Sequence, residues 1–478
     1  MSTLKHKTIS GIKWTMAASI VQRAIAFGTT VVLARILSPA DFGLFALAFV
    51  MIDGFGIFKS LGFDSALVRR KDEDIERACN TAFFLIPAMG MILFVILFFF
   101  APIGAKFLNN PQVAPIIRTL ALVFVIGTFG KVPQTVLYRN MKFKYKSIAE
   151  VSASIVYCVI ALTLALNKFG VWSLVIAYIA KTLVQVSIEW YFSGWKPKFE
   201  FDRSIAWEMF HFGKYVLGSG VIVFLYSNLD NIVIGKLLGV TMLGYYAISM
   251  NLSTFLSQYL LDKVGMIMYP VYSKIQDDIN DMRHVFVKSL HFLSILIFPF
   301  SACLLLFSKE ILLIVFGEKW LPATNALRIL IFVGMFRSLA SAIWPIFLAK
   351  GKSKVDFQIG ILQVFIFILL VIPAIKYFKL IGVCSAALIS STIGLTIGFV
   401  RVQKILKLSI FPIIKSIKFG LLSSVLMAGI CYFLTSSHIF YFTKYSFLFS
   451  LIAGLFFYIY LVFHFEKDFI SEFKKLII

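Results

Sequence analysis

Four ionisable side chains stand near the middle of long apolar segments: Arg23, Lys181, Arg337 and Asp53. A charge at the centre of a bilayer costs about 3 kcal/mol on insertion scales unless it faces water or a partner, so each is a functional candidate by default. Depth at 1.5 Å per residue puts Arg23 roughly 16 Å into its segment, close to the midplane. Together the four carry a net positive charge, which suits an anionic headgroup, and arginine offers bidentate geometry to phosphate oxygens. Arg118, Lys131, Arg328, Lys59 and Lys214 lie nearer to segment ends. Their long stems can reach the headgroup layer, so they are read as structural.

Helical spacing groups further polar residues with these charges. Thr15, Ser19, Gln22, Arg23 and Thr30 fall near one side of the first segment. Lys181, Gln185 and Glu189 recur every four residues in the sixth, and Ser219, Tyr226 and Asp230 form a stripe in the seventh. Such spacing places side chains on one helix face, so the stripes predict one water-accessible cleft. The competing reading makes Lys181–Glu189 and Arg23–Asp53 internal pairs that only hold helices together.

The elements that position these residues must cross a membrane. Of 478 residues 60% are hydrophobic and only 14% charged, against about 25% charged in soluble domains. Seven stretches (82–105, 237–261, 289–308, 357–375, 380–400, 419–443 and 445–465) contain no Asp, Glu, Lys or Arg. Each is long enough to span, since about 20 apolar residues suffice. Seven more, at 12–37, 42–61, 113–137, 150–166, 170–192, 211–238 and 323–349, are apolar with a few charges, giving an expectation of about 14 transmembrane helices.

The net charge of +23 has two readings, nucleic-acid binding or membrane orientation. With the N-terminus in the cytoplasm, alternate connections receive 28 basic residues inside and 8 outside, and 10 lie in spans. That split is the positive-inside pattern and predicts cytoplasmic N- and C-termini. The charge is therefore topology, and no nucleic acid is expected as a partner.

An internal repeat organises the chain. Arg35-Ile-Leu-Ser-Pro-Ala-Asp-Phe-Gly-Leu-Phe-Ala-Leu is echoed 201 residues later by Lys236-Leu-Leu-Gly-Val-Thr-Met-Leu-Gly-Tyr-Tyr-Ala-Ile, with Gly43/Gly244 and Ala46/Ala247 in register. A second echo links Arg118-Thr-Leu to Arg328-Ile-Leu, each followed by a mid-span proline, Pro133 or Pro345. Six spans separate the copies, so the repeat is parallel. The expected fold is an all-α integral membrane protein of two six-helix lobes and two added helices: lobe 1–193, cytoplasmic linker 194–210, lobe 211–402, and 403–478 for helices 13, 14 and the tail. In transporters built from repeats the substrate site lies at the repeat interface.

Other motifs carry less. Asp72-Glu73-Asp74 has the spacing of a metal-dependent glycosyltransferase motif, but it sits among Arg69, Arg70, Lys71 and Arg77 in a short connection and reads as a solvated loop. Gly351-Lys352-Ser353 lacks the leading glycine and strand of a phosphate loop. The six histidines show no metal-ligand spacing, and the five cysteines form no CxxC. Gly235/Gly239 and Gly394/Gly398 read as close helix packing. Lys5, Lys7 and Lys13 lead into a long segment carrying Arg23, so no cleavable signal peptide is expected. No nucleophile, base and orienter set emerges, and neither an enzyme nor a cofactor is expected.

Span one with Arg23, the turn Leu37-Ser38-Pro39-Ala40-Asp41-Phe42-Gly43-Leu44 and the seventh-span Asp230-Asn231-Ile232-Val233-Ile234-Gly235 resemble Wzx-type polysaccharide flippases of the multidrug/oligosaccharidyl-lipid/polysaccharide exporter superfamily. The resemblance implies two lobes in a V, alternating access, and an undecaprenyl-diphosphate-linked oligosaccharide moved from the inner to the outer leaflet of a bacterial cytoplasmic membrane. It implies that basic residues receive the diphosphate and sugar. Arg23 matches that pattern, whereas Lys181 and Arg337 are assigned by depth. Asp53, Glu189 and Asp230 are then either H+ or Na+ coupling sites or structural partners. Implied partners are membrane lipids, a polysaccharide polymerase and export machinery. The alternatives are an ion-coupled drug/cation antiporter of the same superfamily and a membrane polysaccharide polymerase.

Overall fold

Ser38 shows how this sequence starts a helix. Its hydroxyl accepts from the Asp41 backbone N–H (3.2 Å) while the Asp41 carboxylate accepts from the Ser38 backbone N–H (2.9 Å). This reciprocal cap satisfies two donors that a helix N-terminus leaves open, and Pro39 occupies the first helical position, where no N–H is needed. Asp202 and Asp278 cap two later helices from one side only, each accepting from two backbone N–H groups.

The structure, a computed structural model, describes residues 2–59, 63, 67, 75–436 and 446–466, so Asp72-Glu73-Asp74 lies outside the described residues. All its regular elements are helical. In chain order these are α1 (Ser2–Ile36), α2 (Pro39–Gly56), α3 (Ile75–Phe107), α4 (Val113–Leu120), α5 (Leu122–Phe129), α6 (Lys131–Arg139), α7 (Phe143–Leu166), α8 (Val171–Ser193) and α9 (Arg203–Leu237). There follow α10 (Val240–Lys274), α11 (Ile279–Leu306), α12 (Ser308–Ile311), α13 (Thr324–Ala340), α14 (Trp344–Ala349), α15 (Ser353–Leu406), α16 (Ile410–Ser436) and α17 (Ser446–Phe465). A π-helical turn (Leu312–Phe316) and a 3-10 turn (Glu318–Ala323) connect α12 to α13.

Among the described residues, 11 helices are long and apolar enough to cross a membrane, or 12 if one bent pair counts as a span. The chain is a multi-pass membrane protein. The count is lower than 14 for identifiable reasons. The 54 residues of α15 count once although Lys379 breaks the helix at φ 49°, and α10, 35 residues long, stands outside the count. The lipid-facing surfaces are apolar: Phe99 is 72% exposed and Ile372 66%.

Two compact units divide the chain, Met1–Gly244 and Tyr245–Ile478. In the first, α7 packs between α1 and α8, where Leu33, Leu37, Ala161, Ala165, Leu174 and Ala177 form one buried cluster. Small residues let helices approach closely, the main source of helix association where lipid is as apolar as the side chains. The 194–202 connection is tied to α3 rather than merely tethered. Buried Asn80 accepts from the Lys198 backbone N–H (3.1 Å) and donates to Glu200 (3.3 Å), and buried Thr81 accepts from the Asp202 backbone N–H (3.1 Å). Lys198 also donates to Glu76 at 2.7 Å, and that hydrogen bond holds its ammonium above the ordinary lysine range. Ile205 and Met209 of α9 are buried against Ala78, Ala82 and Ile86 of α3.

The second echo coincides with two interrupted spans. Helices Val113–Phe129 and Lys131–Arg139 meet at 42°, and Pro133 lies in the first turn of α6. The Trp190 indole donates to the Phe129 carbonyl at the bend (3.1 Å). In the second unit α13 ends at Ala340, and α14 restarts with Pro345 in its first turn. In that unit the appended helices lie on α11: Gly420 meets the Ser294 backbone, and the Tyr458 hydroxyl donates to the Ile295 carbonyl (2.8 Å).

The first echo is a reciprocal contact. A Cβ on Gly43 would fall on the Val240 carbonyl oxygen, and a Cβ on Gly244 would fall on the Pro39 carbonyl oxygen. Residues 39 and 240, and 43 and 244, are equivalent under the 201-residue offset, so the two copies touch through a local two-fold. Gly235 packs on Leu47 as its spacing suggested, but Gly239 differs: its φ of +85° serves the turn before α10, and nothing lies near its Cβ position.

Gly43→Ala and Gly244→Ala should each lower the unfolding midpoint of the detergent-purified protein, by the equivalent of about 1–3 kcal/mol for forced overpacking. Gly28→Ala, where a Cβ meets nothing within 4 Å, should leave the midpoint unchanged or raise it, because alanine is the better helix former. Equal midpoints for all three variants would remove the close-contact account.

Candidate functional site

Polar residues of the first unit gather on neighbouring faces of α1, α2, α7, α8 and α9. Lys181 lies on α8 with its Nζ 5.9 Å from the ring centroids of both Tyr157 and Tyr178. Cation–π attraction of this kind is worth about 0.5–2 kcal/mol, and it holds the ammonium without neutralising it. Among the described residues no carboxylate lies within ion-pair distance of Lys181, so Lys181 and Glu189 are not an ion pair. Tyr178 is in turn fixed by edge contacts with Phe45 and Phe49, centroids 6.3 and 5.3 Å away.

Glu189 is 2% exposed. One carboxylate oxygen accepts from both the Gln185 and Gln134 amides, each at 3.0 Å. Its other oxygen borders Gly130 at the α5/α6 bend, where a Cβ would sit 3.3 Å from it. A buried carboxyl must find hydrogen bonds, and here neutral amides supply them.

Asp53 accepts from the Asn228 amide at 2.8 Å, joining α2 to α9. It does not form an ion pair with Arg23 among the described residues. Its position also differs from expectation: α2 closes at Gly56, so Asp53 lies in the last turn, exposed. Asp230 is buried at 7% and its carboxylate accepts from the Asn231 backbone N–H (2.8 Å). Arg23 is half-buried on α1. Its neighbour Gln22 donates to Glu150 of α7 at 3.4 Å, and Glu150 also pairs with Lys146 at 3.4 Å. Arg337 belongs to the second unit, half-buried in the last turn of α13 beside the interruption that precedes α14.

The structure thus brings Lys181, Asp53 and Glu189 each to a defined set of neutral partners. Several of those partners, and the nearby acid Glu150, are absent from the sequence stripes. Glu150 lies at the edge of its span, and the stripe Lys146, Glu150, Ser154 and Tyr157 along α7 was readable at helical spacing. Asn228 lies two residues beyond Tyr226 and so on a different face of α9 from the Ser219, Tyr226 and Asp230 stripe. Gln134 carried no signal, because its contact with Glu189 depends on the bend at Gly130. Among the described residues no group of three His, Cys, Asp or Glu could hold a metal ion.

The helical fold and these polar faces define a membrane transporter architecture. Residues 32–325 match the family described as polysaccharide biosynthesis protein, and the chain belongs to that family. It is 28% identical over 422 residues to the lipopolysaccharide biosynthesis protein WzxC of Escherichia coli (strain K12), covering 87% of this chain and 82% of that protein. It is 26% identical over 358 residues to the succinoglycan biosynthesis transport protein ExoT of Rhizobium meliloti (strain 1021), covering 74% and 72%. Its fold is similar to that of the lipid II flippase MurJ in an inward closed conformation, with a TM-score of 0.79, 16% identity, and coverage of 95% and 99%.

Asn228→Val removes the donor to Asp53 and leaves its carboxylate short of a hydrogen bond. Thermal unfolding should show a loss of about 0.5–1.5 kcal/mol, the net worth of a hydrogen bond whose acceptor stays exposed. Asn228→Asp with Asp53→Asn, which exchanges the two roles, should recover most of it. If the exchange recovers nothing, the hydrogen bond is not what stabilises this pair.

Proposed function

We propose that the chain is a flippase for an undecaprenyl-diphosphate-linked oligosaccharide, an O-antigen, capsule or exopolysaccharide unit. It moves this cargo from the inner to the outer leaflet of a bacterial cytoplasmic membrane by alternating access, with both termini cytoplasmic. The observation that carries the reading is Lys181, a lysine held in a membrane-spanning helix by two tyrosine rings and by no carboxylate at ion-pair distance. Positive charge kept un-neutralised there, against the cost of placing it there, suits an anionic diphosphate. Family membership and the transport named for ExoT support the polysaccharide cargo. The fold shared with a lipid II flippase supports a lipid-linked one.

In this reading Arg23, Lys181 and Arg337 receive the diphosphate and sugar while the prenyl chain stays in lipid. Asp53, Glu189 and Asp230 serve either H+ or Na+ coupling or the integrity of the unit. A polysaccharide polymerase and export machinery would take up the product.

Complementation of a flippase-deficient strain, at equal expression, tests the site. Arg23→Ala, Lys181→Ala and Arg337→Ala should each reduce polysaccharide export about tenfold or more, corresponding to at least ~1.4 kcal/mol of lost interaction, and a lipid-linked oligosaccharide should accumulate. Lys168→Ala, in the turn between α7 and α8, should export normally. Wild-type export by all three variants would overturn the proposal. Efflux of cationic dyes that survives all three would instead assign the chain to drug/cation antiport.

A further inference from the structure

Glu150 is an acid on a face otherwise suited to anions. Its carboxylate lies 3.4 Å from the Lys146 ammonium one turn earlier on α7, with both side chains about 30% exposed. Its second oxygen accepts from Gln22, the residue before Arg23, at 3.4 Å. Further along the same face of α7 stands Tyr157, against which Lys181 rests. By rise per residue Glu150 lies about 10 Å nearer the N-terminal end of α7 than Tyr157, the ring that Lys181 meets. The carboxylate therefore stands between the Lys146 end of the face and the mid-span lysine, touching a basic residue and the polar stripe of α1 at once.

A purely stabilising ion pair would be of little use at this place, since half-exposed pairs contribute about 0.2–1 kcal/mol. A carboxylate does, however, occupy the same donors as a phosphate oxygen. We infer that Glu150 is the resident counter-anion of the substrate site. In the empty site it balances Lys146 and ties α1 to α7 through Gln22. The cargo's diphosphate displaces it from Lys146 on its way to Lys181, and the carboxylate returns to the lysine when the headgroup leaves. This positioning role rests on the anionic cargo proposed above. It explains why an acid is tolerated on a face that must admit an anion: it lowers ground-state affinity so that the headgroup can be released. Binding the cargo more tightly at every stage would not speed turnover.

Glu150→Gln keeps an oxygen for Gln22 and removes only the charge. Purified protein in nanodiscs, titrated with undecaprenyl diphosphate, should show the variant binding about threefold or more tighter than wild type, as expected when one nearby negative charge is deleted. In proteoliposomes the same variant should show a lower KM and a lower kcat. Damage to packing alone would weaken binding, and so would not produce that combination. Glu150→Asp should restore wild-type values. In a Lys146→Gln background the gain from Glu150→Gln should shrink, since the partner that the carboxylate shields is gone. Equal or weaker binding by Glu150→Gln, with wild type binding and flipping normally, overturns the counter-anion role alone. Failure of wild type to bind or flip the diphosphate lipid overturns the cargo assignment and this inference with it.

Discussion

A bilayer offers no water to an unsatisfied polar group, and the rest of this structure follows from that constraint. Helices answer it for the backbone, since every interior N–H and C=O is bonded within the segment. Where a helix stops or bends, the exposed groups need another partner, and at several such places this chain supplies one from its own side chains. Ser38 and Asp41 close the start of α2. Trp190 meets the carbonyl at the Gly130 bend. Arg283 donates to the Leu406 and Lys407 carbonyls where α15 ends (2.6 and 2.8 Å). His291 sits between the Ser416 carbonyl and Glu466 (2.9 and 3.0 Å), joining α11 to the appended helices.

The same constraint explains where glycine is used. Without a hydrophobic force between helices in lipid, association depends on close van der Waals fit and on weak backbone contacts such as Cα–H to carbonyl. Gly43 and Gly244 are therefore more than turn residues. Each leaves room for the carbonyl of the other repeat copy, which turns a sequence echo into a symmetric contact. Gly334 makes a comparable approach to the Ser253 carbonyl inside the second unit.

Much of the fold was legible because it depends on period and composition. Apolar length located the helices, and Ser38-Pro39-Ala40-Asp41 was legible as a turn, while its reciprocal cap shows only in the structure. The echo put Gly43 and Gly244 in register, although only the structure shows each against the carbonyl of the other copy. In the sequence Pro133 and Pro345 only mark the repeat, and the structure adds that both stand at interrupted spans. The site was legible only in half. Spacing along one helix put Lys181, Gln185 and Glu189 on one face, but it could not choose between an ion pair and separate neutral partners, because that depends on helices distant in the chain. Gln22 and Glu150 are 128 residues apart, and Asp53 and Asn228 175. No local rule links them. Asp53 shows the opposite limit: its depth was judged from apolar length, and Gly56 ends α2 sooner than hydropathy indicated.

The choice of neutral partners has a consequence for charge. Had Lys181 met Glu189 directly, desolvation of both groups would have been offset by their attraction, and neither charge would have remained for a ligand. Glu189 is instead satisfied by Gln134 and Gln185, Asp53 by Asn228, and Lys181 by two aromatic rings. Amides and rings hold a charged group in place at low electrostatic cost, because they carry no net charge that would cancel its field. In lipid that field is weakly screened and reaches further than in water. A unit built this way keeps its helices together with hydrogen bonds and keeps its electrostatics for whatever enters. Lys146 is the exception: its counter-charge is a carboxylate 3.4 Å away and still partly exposed, so an incoming anion can take that carboxylate's place without breaking the packing around it.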